Sequence, residues 1–122
     1  MSKRPIVHIE IPAQNRPAAA DFYGKLFGWT FQHFTDPGPY TIFESGNVPG
    51  GLADIGEQYK PGDVILYIAS DDVAADLKRI EELGGKKLGD PFMVGELGEM
   101  AFFADPTGNR LALWKQLQPP GG

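Results

Sequence analysis

The chain has 122 residues, 42% hydrophobic and 22% charged, which suits one compact globular domain and excludes a disordered polymer. Its formal net charge is -5 and its Lys and Arg residues are scattered, so phosphate backbones are repelled and nucleic acid is not an expected partner. Cysteine is absent, which removes disulfides and thiolate chemistry; with no apolar run of membrane-spanning length and no apolar segment behind Met1-Ser2-Lys3-Arg4-Pro5, the expected location is the cytoplasm, with no membrane partner.

From Ile6 to Ile11 apolar and polar residues alternate at the period of a half-buried strand, with Ile9 and Ile11 on one face and His8 and Glu10 on the other. Punctuation follows from Pro12 to Pro17, where Asn15 is the expected helix cap and Pro17 falls in the first turn. Ala19, Phe22, Tyr23, Leu26 and Phe27 then recur at helical spacing, predicting a helix that ends at Gly28 with this stripe in the core. Trp29 to Phe34 alternates again, with Trp29, Phe31 and His33 together, and predicts a second strand. A turn is expected at Asp36-Pro37-Gly38-Pro39 and a third strand at Tyr40–Glu44. The segment 47–51 reads as a glycine-containing connection, leaving a short fourth strand at Leu52-Ala53-Asp54-Ile55.

Beyond the polar linker 56–62 the pattern starts again. Ile65-Leu66-Tyr67-Ile68 predicts a strand, Ser70-Asp71-Asp72 supplies helix-capping side chains, and Val73, Leu77 and Ile80 form a stripe that stops at Leu83-Gly84-Gly85. Lys86 to Val94 predicts a weak strand, Met100–Ala104 a stronger one, and Arg110–Trp114 the last. A loose tail is expected at Gln118-Pro119-Pro120-Gly121-Gly122. Strand, helix and three strands occur twice, so the chain reads as one domain, 1–122, made of two repeats at about 5–56 and 63–117. The Gly50-Gly51 and Gly84-Gly85 pairs lack the pattern of a phosphate loop and read as turn and helix-stop residues. Asp105-Pro106-Thr107-Gly108-Asn109 reads as a turn, since each residue has a turn role.

The repeat, His8 upstream of Phe22-Tyr23-Gly24-Lys25-Leu26-Phe27-Gly28-Trp29, and the Asp105-to-Asn109 turn before the last strand together resemble the vicinal oxygen chelate superfamily. That superfamily includes glyoxalase I, bleomycin-resistance proteins, fosfomycin-resistance enzymes and extradiol dioxygenases. The resemblance implies an α+β fold in which two βαβββ modules form an incomplete barrel around a cleft, commonly in a homodimer. It also implies a divalent ion held by His, Gln or Glu side chains from the first and last strands of each module. His8 falls on the first of these positions. Ile65 falls on its counterpart, Ala112 on the last-strand position of module two, and Gly51, Leu52 or Ala53 at the end of module one, with Asp54 one place out of phase. One imidazole among Ile and Ala cannot supply the three protein ligands of a catalytic site, so no catalytic metal and no other cofactor is expected.

His8 can serve as a wall residue contacting a ligand, a relic ligand position or a general base, and Glu10 can pair with it, pair with Arg110 or face water. His8 with Glu10 is the one acid-base candidate, because a carboxylate fixes an imidazole's tautomer and raises its basicity. If the strand phase of the family holds, Tyr67, Arg110 and Trp114 point into the cleft as an aromatic wall with one cation, suited to a planar or amphiphilic organic ligand, including an anionic one. Equally, Tyr67 and Trp114 can fill the cavity or lie in a dimer contact. The leading expectation is a protein that binds a small organic molecule in the cleft without a catalytic metal, with His8, Glu10, Tyr67, Arg110 and Trp114 as ligand-binding residues. The alternative is a metal-dependent lyase, isomerase or dioxygenase using His8 and Glu10; a third reading is a dimeric interaction module.

Overall fold

The computed structural model describes residues 3–35 and 38–117. Asp36 and Pro37 of the expected turn and the whole expected tail lie outside the described residues. The chain divides into two compact units, residues 8–65 and residues 1–7 with 66–122.

In the unit 8–65, β1 (Ile6–Ala13) leads to α1 (Arg16–Phe27), followed by β2 (Thr30–Phe34), β3 (Tyr40–Glu44) and β4 (Gly50–Asp54). The start of α1 follows from Asn15, whose side-chain oxygen accepts a hydrogen bond from the Ala18 N–H at 2.9 Å, and its end from Gly28 at φ 76. β2 pairs antiparallel with β3, β3 antiparallel with β4, and β4 returns parallel to β1, with Ile9 opposite Gly50 and Glu10 opposite Gly51. Ala13, Phe43 and Leu52 are buried against Ala20 of α1, with Ile9, Ile11, Tyr23, Trp29 and Phe31 packed around them. Trp29 stacks on Phe43 with ring centroids 4.8 Å apart, so much of this core is aromatic. The helix covers the face that carries Ile9 and Ile11, leaving His8 and Glu10 on the opposite one.

The second unit repeats the plan: β5 (Ile65–Ala69), α2 (Val73–Glu82), the short β6 (Lys86–Lys87) and β7 (Phe92–Val94), then β8 (Gly98–Ala104) and β9 (Arg110–Gln116). Asp72 caps α2 through the Ala75 N–H at 3.0 Å. β5 runs parallel to β9, β9 antiparallel to β8, and both β6 and β7 pair with β8. Val73, Leu77, Ala101 and Leu113 form the helix-side core, with Ile80 and Phe103 against it. The Arg4 guanidinium pairs with Asp76, which also accepts from the Ser70 hydroxyl at 2.6 Å; the arginine foremost holds the Asp76 carboxyl below its usual range, against the opposing effect of burial.

Four local expectations are corrected. Gly50 and Gly51 belong to strand β4 rather than to a connection. A Cβ on Gly50 would lie 2.2 Å from the Phe43 ring and 2.3 Å from the Ile9 carbonyl oxygen, so glycine is needed for close approach and not for a turn. β1 runs on through Pro12 to Ala13, keeping its parallel register with β4, where Pro12 stands opposite Ala53 and Ala13 opposite Asp54. The weak strand at Lys86–Val94 is broken in two, with Gly89 at φ 139 between the pieces. Finally, the α1 stripe is not all core: Phe22, Leu26 and Phe27 are 59%, 59% and 57% exposed, whereas Tyr23 packs on the core. Among the described residues no helix is long and apolar enough to cross a membrane.

Candidate functional site

Two sheet faces turned away from the helices carry the residues singled out by the sequence. In the first unit, His8 Nε2 lies 2.5 Å from Glu10 Oε2, so of the partners open to Glu10 the histidine is one that it contacts; the side chains are 30% and 18% exposed. Two-residue spacing along β1 puts both on one face, and Gly51, directly across the parallel ladder from Glu10, leaves the room. A Cβ at Gly51 would sit 3.0 Å from each carboxylate oxygen of Glu10.

In the second unit, Tyr67 stands opposite Ala112 in the β5–β9 ladder, and Arg110 and Trp114 flank Ala112 on the same face of β9. Tyr67 is buried, and its ring centroid is 6.5 Å from that of Trp114. Trp114 is held in place from two sides. Its Nε1–H donates to Gln116 Oε1 at 2.8 Å, and its ring lies against Gly98, where a Cβ would approach it to 2.5 Å. The Arg110 guanidinium carbon sits 4.9 Å from the centroid of Phe102, a cation-π distance, and Phe92 lies 6.2 Å beyond Phe102. β9 begins at Arg110 because the turn before it closes tightly. Asp105 Oδ1 accepts the N–H groups of Thr107, Gly108 and Asn109 at 2.9 to 3.0 Å, and Oδ2 accepts from Asn109 Nδ2 at 3.0 Å. Those donors, the Asn109 side chain foremost, hold the Asp105 carboxyl below its usual range, and Gly108 takes the positive φ of 110.

The structure therefore brings His8 to Glu10 and Tyr67 to Trp114, and it adds Phe102 to Arg110. Phe102 was not singled out from the sequence, since the pair Phe102-Phe103 does not reveal which ring faces the helix. The antiparallel register, with Phe102 opposite Ala112 and Phe103 opposite Leu111, decides it. A polar cluster on the helix side was also not anticipated: the nearly fully buried Thr41 hydroxyl contacts His33 Nδ1 at 2.7 Å and accepts from Arg16 at 3.2 Å, while Arg16 Nε donates to Asp54 at 2.9 Å. Asp54 thus points toward α1 and stays out of phase with Glu10.

The positions where a metal would be held do not fit one. Gly51 and Ala112 occupy equivalent places across from Glu10 and Tyr67, neither offers a donor, and Ile65 is buried as an apolar side chain. Among the described residues no three His, Cys, Asp or Glu side chains gather closely enough to hold an ion.

Comparison with known proteins agrees with this architecture. Residues 5–113 match the family model described as the Glyoxalase/Bleomycin resistance protein/Dioxygenase superfamily. The anthracycline biosynthesis protein DnrV of Streptomyces peucetius is 39% identical over 81% of this chain, and a putative glyoxylase, CFP32, of Mycobacterium tuberculosis is 29% identical over 88% of it. This chain spans less than half of each, 42% and 44% respectively. Among solved structures, hypothetical protein BH1468 from Bacillus halodurans superposes with a TM-score of 0.77 at 12% identity, covering 97% of this chain and 98% of that one. The methylmalonyl-CoA epimerase from Mycobacterium tuberculosis superposes with a TM-score of 0.71 at 13% identity, covering 94% and 89%; at such identities the likeness is one of fold. Two βαβββ modules in an α+β chain and a family match across nearly its whole length lead to one conclusion: the chain belongs to the glyoxalase/bleomycin resistance protein/dioxygenase superfamily.

Proposed function

We propose that this protein binds a planar organic anion on the helix-free face of its second unit, where Phe102 and Trp114, the latter backed by the buried Tyr67, offer ring surfaces and Arg110 offers the charge. The observation that carries this reading is Arg110 seated over Phe102, which places a weakly hydrated cation beside aromatic surface. A flat ligand then stacks on rings already fixed in place, so little side-chain freedom is lost on binding. The Streptomyces peucetius relative, named an anthracycline biosynthesis protein, supports a reading in which the ligand is a small organic molecule. No resident metal is part of this proposal, because among the described residues no third His, Cys, Asp or Glu joins His8 and Glu10. Calorimetric titration with 2-naphthoate tests it: wild-type protein binds saturably and Arg110→Ala weakens binding at least about tenfold, the loss expected of a desolvated ion pair. Saturable binding that ignores Arg110→Ala, or none in the wild type, would overturn the proposal.

The His8–Glu10 contact supports a second reading, an enzyme of the lyase, isomerase or dioxygenase type in which the imidazole moves a proton, with a divalent metal only in this case. His8→Ala would then abolish turnover without altering the fold, whereas under the first reading, whose site does not include His8, it would leave affinity for 2-naphthoate nearly unchanged.

A further inference from the structure

We infer that the groove between α1 and the segment 29–33 of the first unit, about 380 Å³ in volume, binds a small uncharged aromatic molecule that presents a hydroxyl group to His33. The inference does not rest on the ligand proposed for the second unit, and a failure of either leaves the other standing.

The groove exists because α1 is small where its sister helix is large. Counted from the caps Asn15 and Asp72, Ala20 stands where α2 has Leu77, and Gly24 where α2 has Glu81. Leu77 fills the core beneath α2, whereas Pro17, Ala20 and Gly24 leave a trough lined on its other side by Trp29, Phe31 and His33. A Cβ on Gly24 would come 3.3 Å from the Trp29 carbonyl oxygen, so the glycine lets helix and strand close together at one end. From Pro17 to Gly24 the helix rises about 10 Å, room for two fused rings, and the volume falls within the range of about 300 to 1,000 Å³ usual for small-molecule sites.

The lining says what fits. Trp29 stacks with Tyr23 at 5.3 Å and with Phe43 at 4.8 Å, and Phe31 lies 6.0 Å from Phe43, so the ring walls are fixed before a ligand arrives. His33 is anchored as well. Its Nδ1 lies 2.7 Å from the hydroxyl of Thr41, which is 1% exposed and accepts from Arg16, itself held by Asp54. Among the described residues its Nε2 has no hydrogen-bond partner. A hydroxyl suits that nitrogen in either tautomer, because it can donate or accept. The charges at the rim, Asp21 and Lys25, are paired with each other at 2.9 Å. A ligand of either sign would meet its like charge there, which favours an uncharged one.

Titration of the isotope-labelled full chain with 2-naphthol to about 2 mM, followed by amide and side-chain NMR shifts, tests this. The wild type is expected to show saturable shifts at Gly24, Trp29 and His33 with a dissociation constant below about 1 mM. His33→Ala should weaken binding about three- to tenfold, the loss of one hydrogen bond. Ala20→Leu, which gives α1 the residue of its sister helix, should weaken it at least about tenfold by filling the trough. No saturable shifts, shifts confined to other residues, or binding indifferent to either substitution would overturn the proposal. Should Ala20→Leu alter the far-UV circular dichroism, His33→Ala, at an exposed position, decides the matter alone.

Discussion

The two modules of this chain share a backbone plan and differ in how each fills it. Around α1 the core is an aromatic stack supplied largely from outside the helix, running from Tyr23 through Trp29 to Phe43, so the helix contributes small residues such as Ala19 and Ala20. Around α2 the helix itself supplies the apolar volume, with Val73 and Leu77 inserted against Ala101 and Leu113. The helix-free faces part in the same manner. The first holds an imidazole-carboxylate pair above the bare Gly51, and the second holds aromatic rings with an arginine. The two units share a parallel ladder between their first and last strands and differ in the side chains that it carries, because backbone hydrogen bonds set the pairing and leave the side chains unconstrained.

That contrast can be broken by substitution. Leu77→Ala empties volume in a core the helix fills and is expected to cost about 2 to 5 kcal/mol in urea unfolding. Gly50→Ala drives a methyl group into Phe43 and the Ile9 carbonyl, and about 1 to 3 kcal/mol of overpacking is expected from the same denaturation experiment. Removing either cap, by Asn15→Ala or Asp72→Ala, should cost about 1 kcal/mol each, and near-equal values would show that the two helices start by one mechanism. Leu26→Ala should change stability by less than about 0.5 kcal/mol; a loss as large as that of Leu77→Ala would mean that both helices are anchored alike.

One pH effect separates the units further. The Asp76 carboxyl is held below its ordinary 3.8 by Arg4, so its ionised form stabilises the folded state. That contribution is present in full above pH 3.8 and is lost as pH falls through the lower folded value. In acid unfolding curves, Asp76→Asn should therefore be less stable than wild type above pH 3.8, and the two should converge below it.

Much of this was legible in the linear pattern. The alternation in Ile6–Ile11 separated His8 and Glu10 from Ile9 and Ile11, because a two-residue period sorts faces without any tertiary information. Asn15, Gly28, Asp72 and the Asp105 turn were readable for a similar reason: caps and turns are satisfied within a few residues. Gly50 was misread because glycine is ambiguous between a positive φ and a close approach, and the side chain that needs the space, Phe43, comes from another strand. The α1 stripe was misread because helical periodicity shows which residues lie together, but not how far the helix rolls over its sheet.

The order of elements, the repeat and the family were therefore contained in the sequence, since they depend on local hydrogen bonding and periodic burial. Which of two adjacent phenylalanines meets Arg110, how Gly98 steadies Trp114, and which apolar residues of α1 are left in solvent were decided only by tertiary structure. Those outcomes depend on strand register and on the angle at which a helix settles, and both are set by contacts between residues far apart in the chain.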